Sequence, residues 1–346
     1  MSVDFDMPSA LPPQPLVSVV VPAFNAASYL GGAIDSLRAQ TISDIEIIVV
    51  DDGSGDDTLA VANRYAALDA RVRVIARGTP SGKPSVARNQ ALAAARGRYI
   101  AFLDADDSSI STRLESAVHA LTLTGALFAF SDKRRSYEDT GELAPESTLA
   151  AARFIEKAAP YLERVSDGVY LCRPNFPAFL LTFIAINTST VIFDRELLAL
   201  EPSWFDESLV CFEDVDLWFR WAEHTRVAFV NEVHTIMRKH SASITASNPV
   251  ATRIDGIAVR RAHLARLRGR LSPPEIAAAE QNISELQFHV AYEKWVAGDS
   301  RGARAWFLDS WRTKRTALAL IGYTKALVPR SRTLIALARA LGRRRD

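Results

Sequence analysis

A chain of 346 residues with 48% hydrophobic and 23% charged residues has the make-up of an ordinary globular protein, long enough for one large domain and an addition. The formal net charge of +1 hides an asymmetry, because residues 301 to 346 hold twelve Lys or Arg against two Asp, a net +10 that leaves −9 for the rest. Cys172 and Cys211 stand far apart with no CxxC or Cys/His spacing, which argues against a zinc module and fits a reducing, cytoplasmic setting.

The opening "MSVDFDMPSALPPQPLVS" is acidic and Pro-rich, without the basic start and apolar stretch of a secretory signal, and residues 1 to 15 read as a disordered leader. "LVSVVVP" is a continuous β-branched run of the kind found in a strand covered on both faces, and "ASYLGGAIDSLRAQ" follows with helical spacing. "DIEIIVVDDGS" predicts a second strand, "DDTLAVANRYAALD" a helix and "RVRVIA" a third strand. "PSVARNQALAAARG" predicts a helix with Pro84 early and Gly97 at its close, and "RYIAFL" is the fourth strand. This order predicts an α/β three-layer fold with a mostly parallel sheet, whose ligands meet the carboxyl ends of the strands.

A helix near Thr112 to Leu123 and a short strand "ALFAF" come next. Residues 133 to 183 are less regular, charged and then rich in Pro and aromatics, as suits a region that recognises something variable. "NTSTVIF" reads as a strand, "EDVDLWFRWAEH" as a helix and "RVAFVN" as a strand. From residue 249 to 346 only helical patterns appear, with "SPPE" starting one helix and "AGDSRG" turning between two others, so a basic C-terminal helical appendage follows a domain of residues 16 to 248. The longest apolar runs, such as "FPAFLLTFIAI", fall short of the roughly 20 residues that cross a bilayer. The cationic "RTLIALARALGRRRD" reads either as a solvated basic face or as a peripheral contact with anionic lipid at the inner face of a cell membrane.

Candidate chemistry gathers where strands end. In "IAFLDADDSS" the carboxylates of Asp104 and Asp106 lie two residues apart, on one side of an extended segment with Cα atoms about 6.5 to 7 Å apart. Two hard oxygen ligands, completed by water and phosphate, are how Mg²⁺ or Mn²⁺ is commonly held. The competing reading is an Asp-rich turn that caps the helix starting near Ser111. In "VVDDGSGDD" the glycines permit a tight turn, Asp56 or Asp57 can cap the next helix, and Asp52 can accept from the N–H of a pyrimidine base. In "VPAFNAASYL" Pro22 fixes φ, and the backbone with the Asn25 side chain can line a nucleotide cleft. Neither G-x-G-x-x-G nor a P-loop motif follows the first strand, which argues against a dinucleotide-binding Rossmann site and a P-loop ATPase.

Taken together, "VSVVVPAFNAASYLGGAIDSLRAQ", "EIIVVDDGSGDDT", "SVARNQALAAARGRYIAFLDADD" and "FDESLVCFEDVDLWFRWAE" resemble the family 2 inverting glycosyltransferases of the GT-A fold, over roughly Leu16 to Ser247. The resemblance implies a nucleotide-sugar donor, with UDP foremost, and a Mn²⁺ or Mg²⁺ cofactor. It places Pro22, Phe24 and Asn25 at the nucleotide and Asp52 at the base. Asp104, Ala105 and Asp106 fall on the family's D-x-D, with Asp107 a further carboxylate beside it. Lys83, Arg88 and Asn89 lie near the donor in this reading, or are ordinary residues of a helix start. The family's base falls on Asp214, supported by Glu213; the competing reading is that acids in a first helical turn merely complement the helix dipole. His240, in "RKHSASIT", lies where the family brings a His toward the metal and diphosphate. Trp218 and Trp221 read as core side chains or as platforms for a sugar face. The implied acceptor is a saccharide, a lipid-linked carrier or a protein, with no nucleic acid involved. Nucleotidyl transfer and a non-catalytic scaffold remain as alternatives.

Overall fold

The computed structural model of this chain describes residues 14–240 and 249–327. Residues 1–13 of the leader, the "SASIT" portion of the closing motif and the "RTLIALARALGRRRD" tail lie outside the described residues. The first part alternates as expected: β1 (Val17–Ala23), α1 (Ala27–Arg38), β2 (Ile45–Asp51), α2 (Thr58–Leu68), β3 (Val72–Ala76), α3 (Pro84–Ala94) and β4 (Tyr99–Phe102). Then come β5 (Ser108–Ser109), α4 (Arg113–Thr124), β6 (Phe128–Tyr137), α5 (Thr148–Ala151), α6 (Phe154–Ala158), β7 (Leu162–Ser166), β8 (Val169–Cys172) and α7 (Phe176–Leu180). They are followed by β9 (Ile192–Asp194), α8 (Glu196–Leu200), α9 (Glu213–His224) and β10 (Val227–Lys239). Four helices close the described chain: α10 (Pro249–Leu267), α11 (Pro273–Ala297), α12 (Ser300–Thr313) and α13 (Ala317–Lys325).

Nine strands form a path in the order β3-β2-β1-β4-β9-β6-β10-β8-β7, and β5 joins at β10. The expected parallel pairing holds from β3 to β4 and again between β6 and β10. Between these blocks β9 runs antiparallel to both neighbours, so the sheet is mixed rather than parallel throughout. Every residue of β2 is buried, as a strand covered on both faces requires. One face is covered by α1 and α4, through Leu30, Ile34, Leu37, Leu114 and Leu121. The other is covered by α3, α7, α9 and α10, around Phe102, Phe128, Phe193, Trp218 and Trp221. Both tryptophans are fully enclosed and stack among these rings, so they serve the core and not a sugar face.

Buried Glu46, near the start of β2, joins several elements. Its carboxylate accepts from Ser18 Oγ on β1 at 2.7 Å, from Arg73 Nη1 on β3 at 2.6 Å and from the Arg96 amide at 2.7 Å. Burial alone would raise its pKa, but these donors outweigh that cost and hold it below the usual glutamate value.

Two sequence readings need correction. Within "NTSTVIF" the strand is limited to Ile192–Asp194, and Thr188–Thr190 form a 3₁₀ turn. The irregular middle contains an antiparallel hairpin, β7 with β8, and β6 extends to Tyr137, well beyond "ALFAF". The start of α11 is as expected, with Ser272 and Glu275 forming a capping box and Pro273 in the first turn.

Candidate active site

The carboxyl ends of β1, β2 and β4 open on one cleft, and a turn shapes each of them. After β1, Asn25 adopts a left-handed φ of 50°, which asparagine tolerates better than most residues. Its Oδ1 accepts from the Gly55 amide at 2.8 Å, and its own amide donates to Ser54 Oγ at 2.9 Å, which locks the turns after β1 and β2 together. Phe24 beside it is 50% exposed, an aromatic face open to a planar ligand. Pro22 lies inside β1, opposite Val50.

Gly53 sits at φ +72°, and a Cβ there would come within 2.6 Å of the Pro80 nitrogen, so the turn admits only glycine. Asp52 is buried beneath the loop that follows β3. Its Oδ2 accepts from Ser81 Oγ at 2.7 Å and from the Ser81 amide at 3.0 Å, and Arg77 Nε lies 2.7 Å from Oδ1. A carboxylate offers about four acceptor positions, so capacity for one more donor remains. Asp57, the N-cap of α2, makes no side-chain capping bond, whereas Asp56 before it accepts from the amide and hydroxyl of Thr58 at the helix start and from the Ala27 amide at 3.1 Å.

The three acids after β4 do not cap α4, whose N-cap Thr112 makes no side-chain capping bond. Each has another partner. Asp104 Oδ1 accepts from Arg88 Nη2 at 2.8 Å, and Asp106 Oδ2 lies 2.7 Å from His240 Nε2. Asp107 accepts from the Arg238 amide at 3.1 Å. Burial, with the charges of Asp104 and Asp106, pushes Asp107 well above the usual aspartate value, to about 8. Asp106 is raised as well, first by burial and then by Asp104.

Arg88 is the bridge of the site. Its Nη2 reaches Asp104 and its Nη1 donates to Glu213 Oε1 at 2.7 Å, so one buried guanidinium joins the end of β4 to the start of α9. Burial opposes its charge, but Asp104, Glu213 and Asp214 more than restore it. Glu213 is pushed up to about 7, first by burial and then by Asp214, with Arg88 acting against the rise. Asp214 accepts from Thr188 Oγ1 at 2.7 Å and is less enclosed than Glu213. The neighbouring Ser189 Oγ accepts from the Asp104 amide at 3.1 Å. Thr188 and Ser189 belong to the site, a role hidden by their resemblance to strand residues.

Lys83 and Asn89 face another way. Lys83 Nζ donates to the Glu207 carbonyl at 2.5 Å. Asn89 donates to the Phe205 carbonyl at 2.9 Å and accepts from the Phe205 amide at 3.0 Å, so it clamps the segment leading to α9.

A divalent cation is implied by the D-x-D. Among the described residues no group of three or more His, Cys, Asp or Glu stands in metal-holding geometry. Even so, the residues fit a cation that takes part of its shell from phosphate and water. Asp104 and Asp106 are partly open hard ligands, and His240 Nδ1 is a buried ring nitrogen with no hydrogen-bond partner.

The profile for "Glycosyl transferase family 2" matches residues 18–176. A glucosyltransferase of Escherichia coli, UDP-Glc:alpha-D-GlcNAc-diphosphoundecaprenol beta-1,3-glucosyltransferase WfaP, is 30% identical over 236 residues, which cover 67% of this chain and 80% of that protein. The chain belongs to glycosyltransferase family 2. An uncharacterized glycosyltransferase of Bacillus subtilis, EpsJ, is 44% identical over 241 residues, 67% of this chain and 63% of that longer protein. Among solved structures, S. aureus TarS 1-349 in complex with UDP-GlcNAc superposes with a TM-score of 0.63 at 18% identity, covering 90% of this chain and 88% of that one. The Pyrobaculum calidifontis mannosyltransferase PcManGT, in complex with GDP-Man and Mn2+, gives 0.54 at 19% identity, with 91% and 80% covered. The architecture of this family 2 member is therefore the GT-A fold.

Proposed function

We propose that this family 2 member is an inverting transferase that moves a sugar from a nucleotide diphosphate, with UDP foremost, to an acceptor hydroxyl in glycan assembly. The observation that carries this reading is the Arg88 bridge, which puts the donor-side carboxylate Asp104 and the acid pair Glu213 and Asp214 on one guanidinium. Inversion is a direct displacement, so the acceptor hydroxyl must lose its proton as it attacks, and a base must face the leaving group across the sugar. In this reading Asp214 is the base. Thr188 orients it, while Glu213 stays with Arg88 and helps to fix the start of α9.

Phe24 and the Asn25 turn line the base and ribose in this proposal, and Asp52 accepts from the base. Lys83 is assigned to the phosphate-side loop, from which its ammonium now donates to a carbonyl. Ala105 lines the donor between the two acids, and Asp104 and Asp106, with His240, would hold Mn²⁺ or Mg²⁺, which when bound supplies charge neutralisation for the departing diphosphate. UDP is favoured because the WfaP name contains UDP-Glc and the TarS crystals hold UDP and UDP-GlcNAc. A lipid-linked acceptor is favoured by the diphosphoundecaprenol in the WfaP name. In a titration with UDP and Mn²⁺, Asp106→Ala is expected to lose metal-supported binding. Asp214→Asn should keep that binding and lose at least about 10²-fold in turnover. Undiminished turnover in Asp214→Asn would remove Asp214 as the base.

No described helix is long and apolar enough to cross a membrane. Peripheral contact is proposed through α13 and the basic residues beyond it in the sequence, because Leu318, Leu320 and Ile321 are exposed beside Lys314, Arg315 and Lys325. Pelleting with anionic vesicles should drop when residues 314 to 346 are removed, and equal pelleting would exclude the contact.

A further inference from the structure

Beyond β4 and β9, the paired ends of β6 and β10 carry cations that the donor reading leaves without a role. In their parallel register Lys133 stands opposite Thr235, Arg135 opposite Met237 and Tyr137 opposite Lys239. Side chains alternate along a strand and in-register partners share a face, so Lys133, Arg135 and Lys239 project on one side. A contact of 3.2 Å between Lys133 Nζ and Met237 Sδ agrees with that arrangement. Arg238 and Glu138 lie on the opposite side, both engaged by Tyr29: Arg238 sits 5.3 Å above its ring, and Glu138 accepts from its hydroxyl at 2.6 Å.

Among the described residues no carboxylate lies within ion-pair distance of Lys133, Arg135 or Lys239, whereas Arg73, Arg88 and Arg220 are all matched to acids. The Lys133 ammonium has a thioether as its described partner, a weak acceptor for a group with three strong donors. Its charge is pushed down to about 8, first by burial and further by Arg135 and Lys239, against the pull of Asp107 and Asp104. Three cations collected on one face of these strand ends, none of them in an ion pair among the described residues, are poised for an anion.

We propose that Lys133, Arg135 and Lys239 form a subsite for a phosphate group of the acceptor, so that the acceptor class is phosphate-bearing. This rests on the donor reading of Asp104 and Asp106. In the donor reading the nucleotide side of the cleft is built by β1 to β3, and β6 and β10 lie beyond β4 and β9 from it; Thr235, on the same face as the cations, donates to the Ser189 carbonyl, next to the Thr188 that holds Asp214. The phosphate belongs either to a diphosphate-linked carrier or to a phosphodiester polymer, two sources of the same chemistry.

The test uses the full chain in EDTA, which removes metal-bridged binding at Asp104 and Asp106, and titrates it calorimetrically with inorganic pyrophosphate and with bis(glycero)phosphate. Binding to the unaltered chain is expected, with a loss of at least about tenfold in Arg135→Ala/Lys239→Ala and in Lys133→Met, since each removes a charge-assisted bond. Arg268→Ala/Arg270→Ala removes equal charge elsewhere and should leave binding unchanged. The tighter probe identifies the source of the phosphate. Equal binding by the cluster variants and the unaltered chain, or no binding by the unaltered chain, overturns the subsite. A separate titration with UDP and Mn²⁺ should give unaltered affinity in the cluster variants. A parallel loss there assigns the cations to the donor and overturns the acceptor subsite, whereas failure of UDP to bind any variant or the unaltered chain defeats the donor reading itself.

Discussion

With Asp104 and Glu213 both in its fork, Arg88 compensates two acids at once, and its loss leaves Glu213 buried without a partner. Breaking a buried pair from one side costs about 3–5 kcal/mol, so Arg88→Met should lower the urea midpoint accordingly. Arg88→Lys keeps the charge but not the planar fork, and should retain part of the stability while weakening the link between β4 and α9. These outcomes separate a bridging role from simple charge balance, which lysine would restore in full. The acids themselves were legible in the sequence, because two short motifs name them, one after strand β4 and one in the first turn of α9. Arg88 is placed near the donor only by the family resemblance, and its role as their common partner was not legible, because only the fold brings positions 88, 104 and 213 together.

The elements that carry the acids are held in place from behind. Phe212, the N-cap of α9, is in a left-handed conformation with φ 66°, and α10 passes close over it, with Gly256 leaving space for the ring. A Cβ at Gly256 would come within 2.7 Å of the Phe212 ring. Asp216 on α9 meets His263 on α10 at 2.7 Å, and His263 stacks on Phe219 with ring centroids 4.3 Å apart. Gly256→Ala is therefore expected to cost about 1–3 kcal/mol and to reduce turnover more than UDP affinity, measured by denaturation and by steady-state kinetics. The pattern of α9 itself, from Glu213 to His224, was readable because its apolar positions recur at helical spacing. The length of β10 and its pairing with β6 were not readable. Polar residues such as Lys133, Arg135 and Lys239 interrupt the apolar signal, and register between distant strands leaves no local trace.

At the scale of the whole molecule, α10 and α11 share the apolar cluster of the sheet, whereas Ala303 and Phe307 of α12 belong to a separate small cluster. Ile257, Val259, Leu264 and Leu267 of α10, and Ala279, Ile283 and Val290 of α11, all lie in it. A chain ending at residue 248 should thus expose this surface and aggregate, and limited proteolysis should yield a resistant fragment that keeps residues 249 to 297. The β-α alternation that frames this packing was legible because each segment carries its own periodicity, whereas helix-on-core docking depends on surfaces formed only after folding. Acid sensitivity also belongs to this scale, through Glu46 at the junction of β1, β2 and β3. Its folded pKa is depressed, so its contribution is present above the unfolded value of about 4.3 and disappears as pH falls through the folded value. Urea midpoints measured from pH 6 to pH 3 should converge between the unaltered chain and Glu46→Gln as acidity rises. A constant gap would show that the site's contribution is packing and not charge.

The two-ended grip of Arg88 also limits how this protein can drift or be redesigned. A change at Glu213 leaves half a guanidinium idle next to the β4 acid, and a change at Asp104 does the same beside α9. Positions 88, 104 and 213 are therefore expected to substitute as a unit among natural variants, and a library that randomises one of them alone should return few active clones.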